Sequence, residues 1–205
     1  MKKPLIILTG PTAVGKTKLS ISLAKAVNGA IISADSMQVY RHMDIGSAKI
    51  RPEEMCGVPH YLIDVLDPSE EFHVVKFVEL AHEAMEKIYA AGQIPIVTGG
   101  TGFYIQALLK EVDFTESHGE LPIRKQLEEK AATEEGAAEL YRELSEVDPA
   151  SAETIHPNNV KRVIRALEYY HETGQKISEH NEEQKQKESP YCSAYFVLND
   201  ERSIL

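Results

Sequence analysis

The feature that most constrains the fold of this 205-residue chain is an eight-residue segment near its amino terminus, Gly10-Pro11-Thr12-Ala13-Val14-Gly15-Lys16-Thr17. It matches Gly-x-x-x-x-Gly-Lys-Thr, the phosphate-binding P-loop pattern. A run of apolar, β-forming residues (5–9) precedes it, and apolar residues recur at helical spacing after it. The segment therefore predicts a turn between a buried parallel strand and a helix, with backbone N–H groups that bind phosphate.

The last two residues of this segment predict a metal-assisted phosphate site. We expect Lys16 to reach the terminal phosphates and the Thr17 hydroxyl to bind a Mg²⁺ ion that bridges phosphate oxygens. All eight residues are candidate diphosphate- or nucleotide-binding residues. The motif leaves open whether the ligand is a nucleoside triphosphate or another diphosphate.

The remaining periodicity predicts an α/β protein with a P-loop NTPase-like parallel sheet, helices on both faces and a helical insertion. Further strands are predicted over 30–33, 59–65, 94–98 and 194–198, and a long amphipathic helix over 72–91. Three parts follow: a P-loop core over 1–114, a charged helical insertion over 115–190, and a return to the core over 191–205. Inside the insertion, the polar stretch 175–189 predicts a surface turn or a mobile segment.

Composition bounds the setting in which the protein works. The formal net charge is −10, although the first 50 residues carry an excess of positive charge. A basic phosphate-binding end allows a polyanion to bind locally and also fits a nucleotide enzyme. No apolar run approaches the length of a membrane span, and Cys56 and Cys192 are too far apart in sequence to predict a disulfide framework or a zinc site. We expect a cytoplasmic protein with no membrane association and no obligate protein partner.

Two polar segments follow predicted strands and are expected near the P-loop, because ligands bind beyond the carboxyl ends of parallel strands. Asp35 and Ser36 follow the second strand, where Asp35 fits either a base or metal-shell ligand or the N-cap of a following turn. Gly99–Tyr104 is a second glycine-rich turn, in which Thr101 fits either a ligand contact or a helix cap. The cations of the loop 41–49 fit either substrate contact or a solvated loop.

A basic stripe is predicted on the helix that begins near residue 157. Its members are Asn158, Lys161, Arg162 and Arg165. Opposite them lies an apolar stripe, so the basic residues share one face of the helix. They fit either contact with nucleic-acid phosphates and bases or a solvated face. Arg124 and Lys125 are further cations in the otherwise acidic insertion.

Five segments in this order and spacing resemble the tRNA dimethylallyltransferases, the tRNA isopentenyltransferase family in its bacterial form. They are GPTAVGKT, ISADSMQVYRHMDIGSAK, PHYLIDVLDP, TGGTGFY and NNVKRVIRALE. The resemblance implies that the P-loop core binds dimethylallyl diphosphate. It also implies transfer of the prenyl group, without ATP hydrolysis, to the exocyclic amine of the adenosine that follows the anticodon on its 3′ side in tRNA.

The same resemblance assigns roles to individual residues. It makes Asp35 the general base, places Thr101 on the diphosphate or the target nucleotide, and gives Lys16 and Thr17 the diphosphate and Mg²⁺. The tRNA-binding residues it implies are Asp35, Ser36, Met37, Gln38, Thr101, Arg124, Asn159, Lys161, Arg162 and Arg165. Members of the family are longer than this chain and carry further carboxy-terminal helices.

Three other functions remain open at this point. An adenylate isopentenyltransferase would use the same chemistry on a free adenine nucleotide. A small-molecule kinase would use the P-loop for ATP. A non-catalytic nucleotide-binding or RNA-binding module would keep the loop without the reaction.

Overall fold

The structure is a computed structural model, and it describes residues 2–112 and 122–200. The chain divides into two compact units, Met1–Val112 with Glu188–Leu205, and Asp113–Lys187. The sequence prediction placed the corresponding boundaries after residues 114 and 190. The first of these predicted boundaries, like residues 201–205 of the predicted return to the core, lies outside the described residues.

The first unit contains a parallel five-stranded sheet with the strand order β3-β2-β4-β1-β5. Its strands are β1 (Lys3–Thr9), β2 (Gly29–Ser33), β3 (His60–Tyr61), β4 (Ile94–Gly99) and β5 (Tyr191–Val197). Strand β1 pairs with β4 and β5, and β2 pairs with β3 and β4, all in parallel. The predicted α/β class is confirmed.

Helices cover both faces of this sheet, as predicted. They are α1 (Lys16–Val27), α2 (Val74–Ala90) and α3 (Gly102–Lys110). Helices α2 and α3 pack on the face that carries Ile7, Ile32 and Val97. Helix α1 packs on the opposite face through Ala24, against Ile31 and Ile96. Side chains alternate between the two faces of each strand, so the inner strands β1, β2 and β4 bury side chains against helices on both faces, whereas most of the edge strand β5 is exposed.

Two predicted strands differ from those in the structure. The predicted strand over 59–65 is reduced to His60–Tyr61, because Leu62 and Asp64 adopt positive φ angles of 61° and 55°, which are incompatible with an extended strand. Strand β5 begins at Tyr191 rather than at residue 194. The carboxyl ends of β1, β2 and β4 meet at one edge, where Thr9 is paired with Gly99 and Ser33 with Thr98.

The second unit consists of helices around a core of its own. They are α4 (Pro122–Lys130), α5 (Glu134–Val147), α6 (Pro149–Thr154), α7 (Val160–Thr173) and α8 (Ile177–Gln186). The buried residues include Leu140, Leu144, Val163 and Leu167. The prediction of a surface turn or mobile segment over 175–189 is wrong, because most of this stretch forms α8.

A buried carboxylate explains how this polar stretch becomes helical. Asp148 accepts hydrogen bonds from the backbone N–H (3.0 Å) and the hydroxyl (2.6 Å) of Ser178 in the first turn of α8. It accepts two more from Ser151 in α6. Burial opposes ionisation of Asp148, but the hydrogen bonds from Ser178 and Ser151 outweigh it and lower the pKa of the carboxyl.

Within residues 2–112 and 122–200, no helix combines the length and the apolar character that crossing a membrane requires.

Candidate phosphate and acceptor site

A cavity of about 440 Å³ lies at the edge of the sheet where β1, β2 and β4 end. Its lining includes the P-loop residues Thr12, Ala13, Gly15, Lys16 and Thr17. The rest of the lining comes from Ser33, Asp35, Met37 and Gln38, the loop Gly46–Ala48, and Thr98, Gly99 and Gly100. The structure thus brings the P-loop and the segment after β2 to one cavity, as the position of both segments beyond strand ends predicts.

A larger cleft, about 880 Å³, lies beside the outer face of α1 and shares Thr17, Gly46 and Ala48 with the first cavity. Its remaining walls come from α1, Asp44 and residues of the segment 49–56. We place the functional site in the smaller cavity, because anion binding depends on the P-loop backbone and the first turn of α1, which line that cavity.

The P-loop turn depends on backbone conformations that favour glycine. Gly15, the N-cap of α1, has a φ of 88°. Among the described residues, no side chain forms a capping hydrogen bond with the first N–H groups of α1. Gly10 has a φ of 152°, and a Cβ on it would overlap the carbonyl oxygen of Leu198 just beyond β5. The end of β5 therefore supports the shape of the loop.

Lys16 is held by the loop to which it belongs. Its Nζ donates hydrogen bonds to the carbonyl oxygens of Gly10 (2.9 Å) and Pro11 (2.6 Å). Burial lowers the pKa of Lys16, and the negative charge of Asp35 partly offsets this effect. The ammonium group is thus positioned at the cavity and lies in the field of the Asp35 carboxylate.

Asp35 uses one carboxylate oxygen for the backbone. Its Oδ1 accepts hydrogen bonds from the N–H groups of Met37 (2.8 Å) and Gln38 (3.3 Å), which fixes the turn after β2. In the part of the chain that the structure describes, Oδ2 accepts no hydrogen bond. The capping role that the sequence left open is therefore present, and one oxygen remains for a ligand in the cavity. Ser36 is half-buried and does not line this cavity.

Gln38 links the end of β2 to the cavity wall. Its Oε1 accepts a hydrogen bond from the Ser33 hydroxyl (3.0 Å), and its Nε2 donates to the carbonyl oxygens of Ser47 (3.3 Å) and Ala48 (3.2 Å). The amide that the resemblance assigns to the tRNA site thus holds the loop Gly46–Ala48.

The cations of the loop 41–49 also donate hydrogen bonds to backbone carbonyl oxygens. Lys49, whose side chain is only 4% exposed, donates to the Tyr40 carbonyl oxygen and forms ion pairs with Asp44 (2.8 Å) and Asp64 (2.6 Å). Burial opposes the charge of Lys49, but the two carboxylates outweigh it and raise its pKa. Arg41 pairs with Asp67 and donates to two carbonyl oxygens. The sequence left open substrate contact and a solvated loop. The contacts of Lys49 fit neither interpretation, because its buried side chain joins Tyr40, Asp44 and Asp64 within the protein.

Two threonines lie near the end of strand β4: Thr98 is its second-to-last residue, and Thr101 follows the strand. The Oγ1 of Thr98 is buried and has no hydrogen-bond partner among the described residues, although Thr98 lines the cavity. Thr98 was not among the predicted site residues, because a threonine inside a predicted strand gives no signal of an unpaired hydroxyl. Thr101 is the N-cap of α3, but its side chain makes no capping hydrogen bond. It follows Gly100, which lines the cavity.

Close approach of two strand ends sets the width of the site. A Cβ on Gly99 would overlap the carbonyl oxygen of Ala34, and it would lie 2.6 Å from the carbonyl carbon. A side chain at position 99 would therefore push the end of β4 away from the segment that carries Asp35.

The second unit contains the other residues that the resemblance assigned to RNA. Lys161 and Arg162 are exposed on α7, and Asn159 is the exposed N-cap of that helix, without a side-chain capping bond. Arg124 and Arg165 both form ion pairs with the buried carboxylate of Glu168. The predicted basic face is thus partly exposed and partly paired.

The described residues contain no cluster of three or more His, Cys, Asp or Glu side chains that could hold a metal ion by themselves. A metal ion at the cavity would depend on a hydroxyl such as that of Thr17 and on phosphate and water oxygens. Mg²⁺ is bound in this way in many phosphate sites, because it keeps several waters and takes oxygen ligands from the substrate.

Comparison with known proteins gives the family context. A family model described as IPP transferase matches residues 38–205. The tRNA dimethylallyltransferase of Lachnoclostridium phytofermentans is 66% identical over 99% of this chain. That of Bacillus mycoides is 51% identical over the whole chain. The chain spans 64% of the length of each of these two relatives.

Solved structures give the same picture. Crystal structures of a eukaryotic dimethylallyltransferase acting on tRNA match 96% of this chain and 48% of that protein, with a TM-score of 0.83 and 39% identity. The tRNA isopentenylpyrophosphate transferase of Bacillus halodurans matches 96% of this chain and 60% of its own, with a TM-score of 0.60 and 44% identity.

Proposed function

Because this chain belongs to the IPP transferase family, we propose that it carries the catalytic core of a tRNA dimethylallyltransferase. In the proposed reaction, a dimethylallyl group moves from dimethylallyl diphosphate to the exocyclic amine of the adenosine 3′-adjacent to the anticodon. Diphosphate leaves. The observation that carries the proposal is one cavity that is lined by both the P-loop and Asp35. The names of the relatives support the choice of donor and acceptor.

The P-loop supplies the binding of the donor. Its backbone N–H groups, the positive end of the α1 dipole and the Lys16 ammonium all favour a diphosphate in the cavity. These groups stabilise the charge that develops on the leaving diphosphate when the allylic C–O bond breaks. Stabilisation of developing charge is usually the largest single contribution to catalysis of this type.

The cavity also fits a Mg²⁺ ion, which we propose as the cofactor. Thr17 would hold it, with the remaining ligands coming from diphosphate and water, and the ion would neutralise charge on the leaving group. The buried hydroxyl of Thr98 has no hydrogen-bond partner in the part of the chain that the structure describes. It supports this fit, because such a polar atom next to a phosphate site is expected to bind a water or ligand atom.

Asp35 is the proposed base for the acceptor. The exocyclic nitrogen of adenine is a weak nucleophile, and it must lose a proton as the new C–N bond forms. Oδ2 of Asp35 can take this proton while Oδ1 stays bound to the turn at Met37 and Gln38. General-base help of this kind contributes about 10²–10⁴ in rate. The adenine must leave the anticodon stack to reach this oxygen.

The same proposal covers the other predicted site residues. Thr101 would contact the diphosphate or the target nucleotide, and the segment from Ser36 to Gln38 would line the acceptor site. Residues of the helical unit would bind the anticodon arm, namely Arg124, Asn159, Lys161, Arg162 and Arg165. A tRNA acceptor makes the cytoplasm the proposed location, and the proposal requires no obligate protein partner. The named relatives do not favour adenylate isopentenyl transfer or a small-molecule kinase.

Intact-mass analysis of the acceptor tests the proposal. Unmodified anticodon stem-loop RNA is incubated with the protein, Mg²⁺ and dimethylallyl diphosphate, with parallel tubes that contain ATP instead of the donor or AMP instead of RNA. We expect a mass gain of one dimethylallyl group only on RNA and only with dimethylallyl diphosphate. Prenylation of AMP alone, or phosphate transfer from ATP, would contradict it.

A further inference from the structure

Glu168 is a fully buried carboxylate inside the helical unit, with no exposed surface. It lies on α7, and its Oε2 accepts hydrogen bonds from the Nη1 atoms of Arg165 (3.0 Å) and Arg124 (3.2 Å). Arg165 precedes it by one turn on α7, whereas Arg124 comes from α4. One oxygen atom therefore holds two guanidinium groups from different helices next to each other.

We propose that Glu168 is a positioning residue that fixes Arg124 and Arg165 as a paired binding site for the phosphate backbone of RNA. The choice of RNA as partner rests on the proposed function. The role of Glu168 rests on the contacts within this helical unit.

The exposure of the two arginines fits such a site. The side chains of Arg124 and Arg165 are 34% and 35% exposed, although the carboxylate that they share is fully buried. Each arginine side chain therefore contacts Glu168 and keeps accessible surface. The exposed Arg162 is one helical turn before Arg165, so the pair continues the basic face of α7.

Stability alone does not account for this arrangement. A buried ion cluster is weak evidence for stability, because the loss of hydration offsets much of the attraction between the charges. Two guanidinium groups would repel each other without the carboxylate between them. A guanidinium held in one orientation binds phosphate with a smaller loss of side-chain entropy than a free one, and its planar donors match phosphate oxygens. Glu168 reduces the repulsion between the two guanidinium groups and holds each of them in one orientation.

A second carboxylate offers a matched control. Glu128 accepts a hydrogen bond from Nε of Arg124 at 3.0 Å, but its side chain is 54% exposed. Surface pairs of this kind contribute little and are screened by salt. Glu128→Gln and Glu168→Gln each remove one negative charge that contacts Arg124. Only Glu168→Gln removes the carboxylate that Arg124 shares with Arg165.

The test is equilibrium binding of unmodified anticodon stem-loop RNA to the whole chain, without donor, over a range of salt concentrations. Loss of a negative charge by itself would strengthen RNA binding. We expect the opposite for Glu168→Gln, an affinity about tenfold lower and a salt dependence shallower by about one phosphate contact. Glu128→Gln should bind as tightly as the wild type or more tightly.

A double-mutant cycle separates positioning from a general structural effect. In a background in which Arg124 and Arg165 are both replaced by Gln, Glu168→Gln should cause no further loss of RNA affinity. Thermal unfolding of each variant shows whether it is folded at the temperature of the assay. If Glu168→Gln does not fold, Arg124→Lys and Arg165→Lys keep the charges but lose the paired geometry, and each should weaken RNA binding.

Several outcomes would overturn the proposal. They are unchanged or tighter RNA binding by a folded Glu168→Gln variant, an equal loss of RNA affinity in Glu128→Gln, and a further loss of affinity from Glu168→Gln when Arg124 and Arg165 are already replaced by Gln. Wild-type affinity in both lysine variants, or no RNA binding by the wild type, would do the same. RNA binding without prenyl transfer would instead count against the proposed function and leave the positioning role supported.

Discussion

Gly10 of the P-loop lies directly against the backbone of Leu198, a residue that follows the last strand of the sheet. The Leu198 N–H donates a hydrogen bond to the Thr9 carbonyl oxygen at 2.7 Å, and a Cβ on Gly10 would overlap the Leu198 carbonyl oxygen. Two segments almost 190 positions apart in sequence thus form one support. The phosphate loop depends on β5 as well as on its own sequence.

This contact predicts the effect of Gly10→Ala. The new methyl group would meet the Leu198 backbone at a φ that side chains rarely adopt, so we expect the free energy of unfolding to fall by about 1–3 kcal/mol. Affinity for dimethylallyl diphosphate should fall as well, because the loop shifts. Gly102→Ala is the matched control, because Gly102 has no atoms near its Cβ position and begins a helix. Thermal unfolding measures the stability of the two variants, and titration with dimethylallyl diphosphate measures their donor affinity. Equal stability and equal donor affinity of the two variants would show that the loop does not depend on the contact between Gly10 and Leu198.

Thr98→Val separates ligand binding from stability. The substitution keeps the shape of the side chain and removes a buried hydroxyl that has no hydrogen-bond partner among the described residues, so stability should be unchanged or higher by about 1 kcal/mol. If the hydroxyl binds the diphosphate or its water shell, donor affinity in the presence of Mg²⁺ should fall about five- to tenfold. Calorimetric titration measures this. Unchanged affinity would show that Thr98 does not contact the ligand.

Lys49→Met tests the anchor of the cavity wall. Without the ammonium group, Asp44, Asp64 and the Tyr40 carbonyl lose their common donor, and we expect a loss of about 1–3 kcal/mol in unfolding free energy. Lys25→Met, on the exposed face of α1, should change little. Chemical denaturation of both variants measures the difference, and a Lys49 variant as stable as the control would show that the loop does not depend on this contact.

The sequence predicted what depends on local pattern. The P-loop, the strand before it and the alternation of strands and helices are visible because period and turn residues act over short distances. Contacts between distant residues were not visible. The pairing of Arg124 with Glu168 joins residues 44 positions apart, and nothing in the acidic composition of the insertion marks Glu168 as buried.

The errors in the prediction have the same cause. The stretch that forms α8 has the polar composition of a mobile segment, and its helix begins where Ser178 binds the buried carboxylate of Asp148. The short β3 ends before Leu62, because the backbone of Leu62 adopts a positive φ that the apolar run did not signal. In both segments the backbone contacts distant residues, since the N–H of Asp64 just after β3 donates a hydrogen bond to the Gln38 carbonyl oxygen. A single sequence does not report such contacts.

Asp148→Asn tests the role of the buried carboxylate in the helical unit. Asn retains an oxygen acceptor but loses the charge and part of the hydrogen bonding with Ser151 and Ser178, so unfolding free energy should fall by about 1–3 kcal/mol at neutral pH. The native pKa of Asp148 lies below its value in the unfolded chain. Its contribution is therefore present at neutral pH and is lost as the pH falls through the acid range below about 4.

The pH dependence supplies the control for this prediction. The Asn variant should lose less stability than the wild type between pH 5 and the acid range, whereas Glu153→Gln, at an exposed position, should follow the wild type. Denaturant unfolding at several pH values measures the slopes. The same acid dependence in wild type and Asp148→Asn would contradict the assignment.

The most direct test of the central claim measures prenyl transfer and donor binding separately in Asp35→Asn. Asn can keep the hydrogen bonds to Met37 and Gln38 but cannot take a proton from the acceptor amine. We predict that the single-turnover rate of transfer to stem-loop RNA falls by at least about 10²-fold, while the dissociation constant for dimethylallyl diphosphate stays within about a factor of three. Glu71→Gln, at an exposed position, should match the wild type in both measurements. An unchanged transfer rate, or equal losses of rate and donor affinity, would contradict the assignment of Asp35 as the base in this cavity.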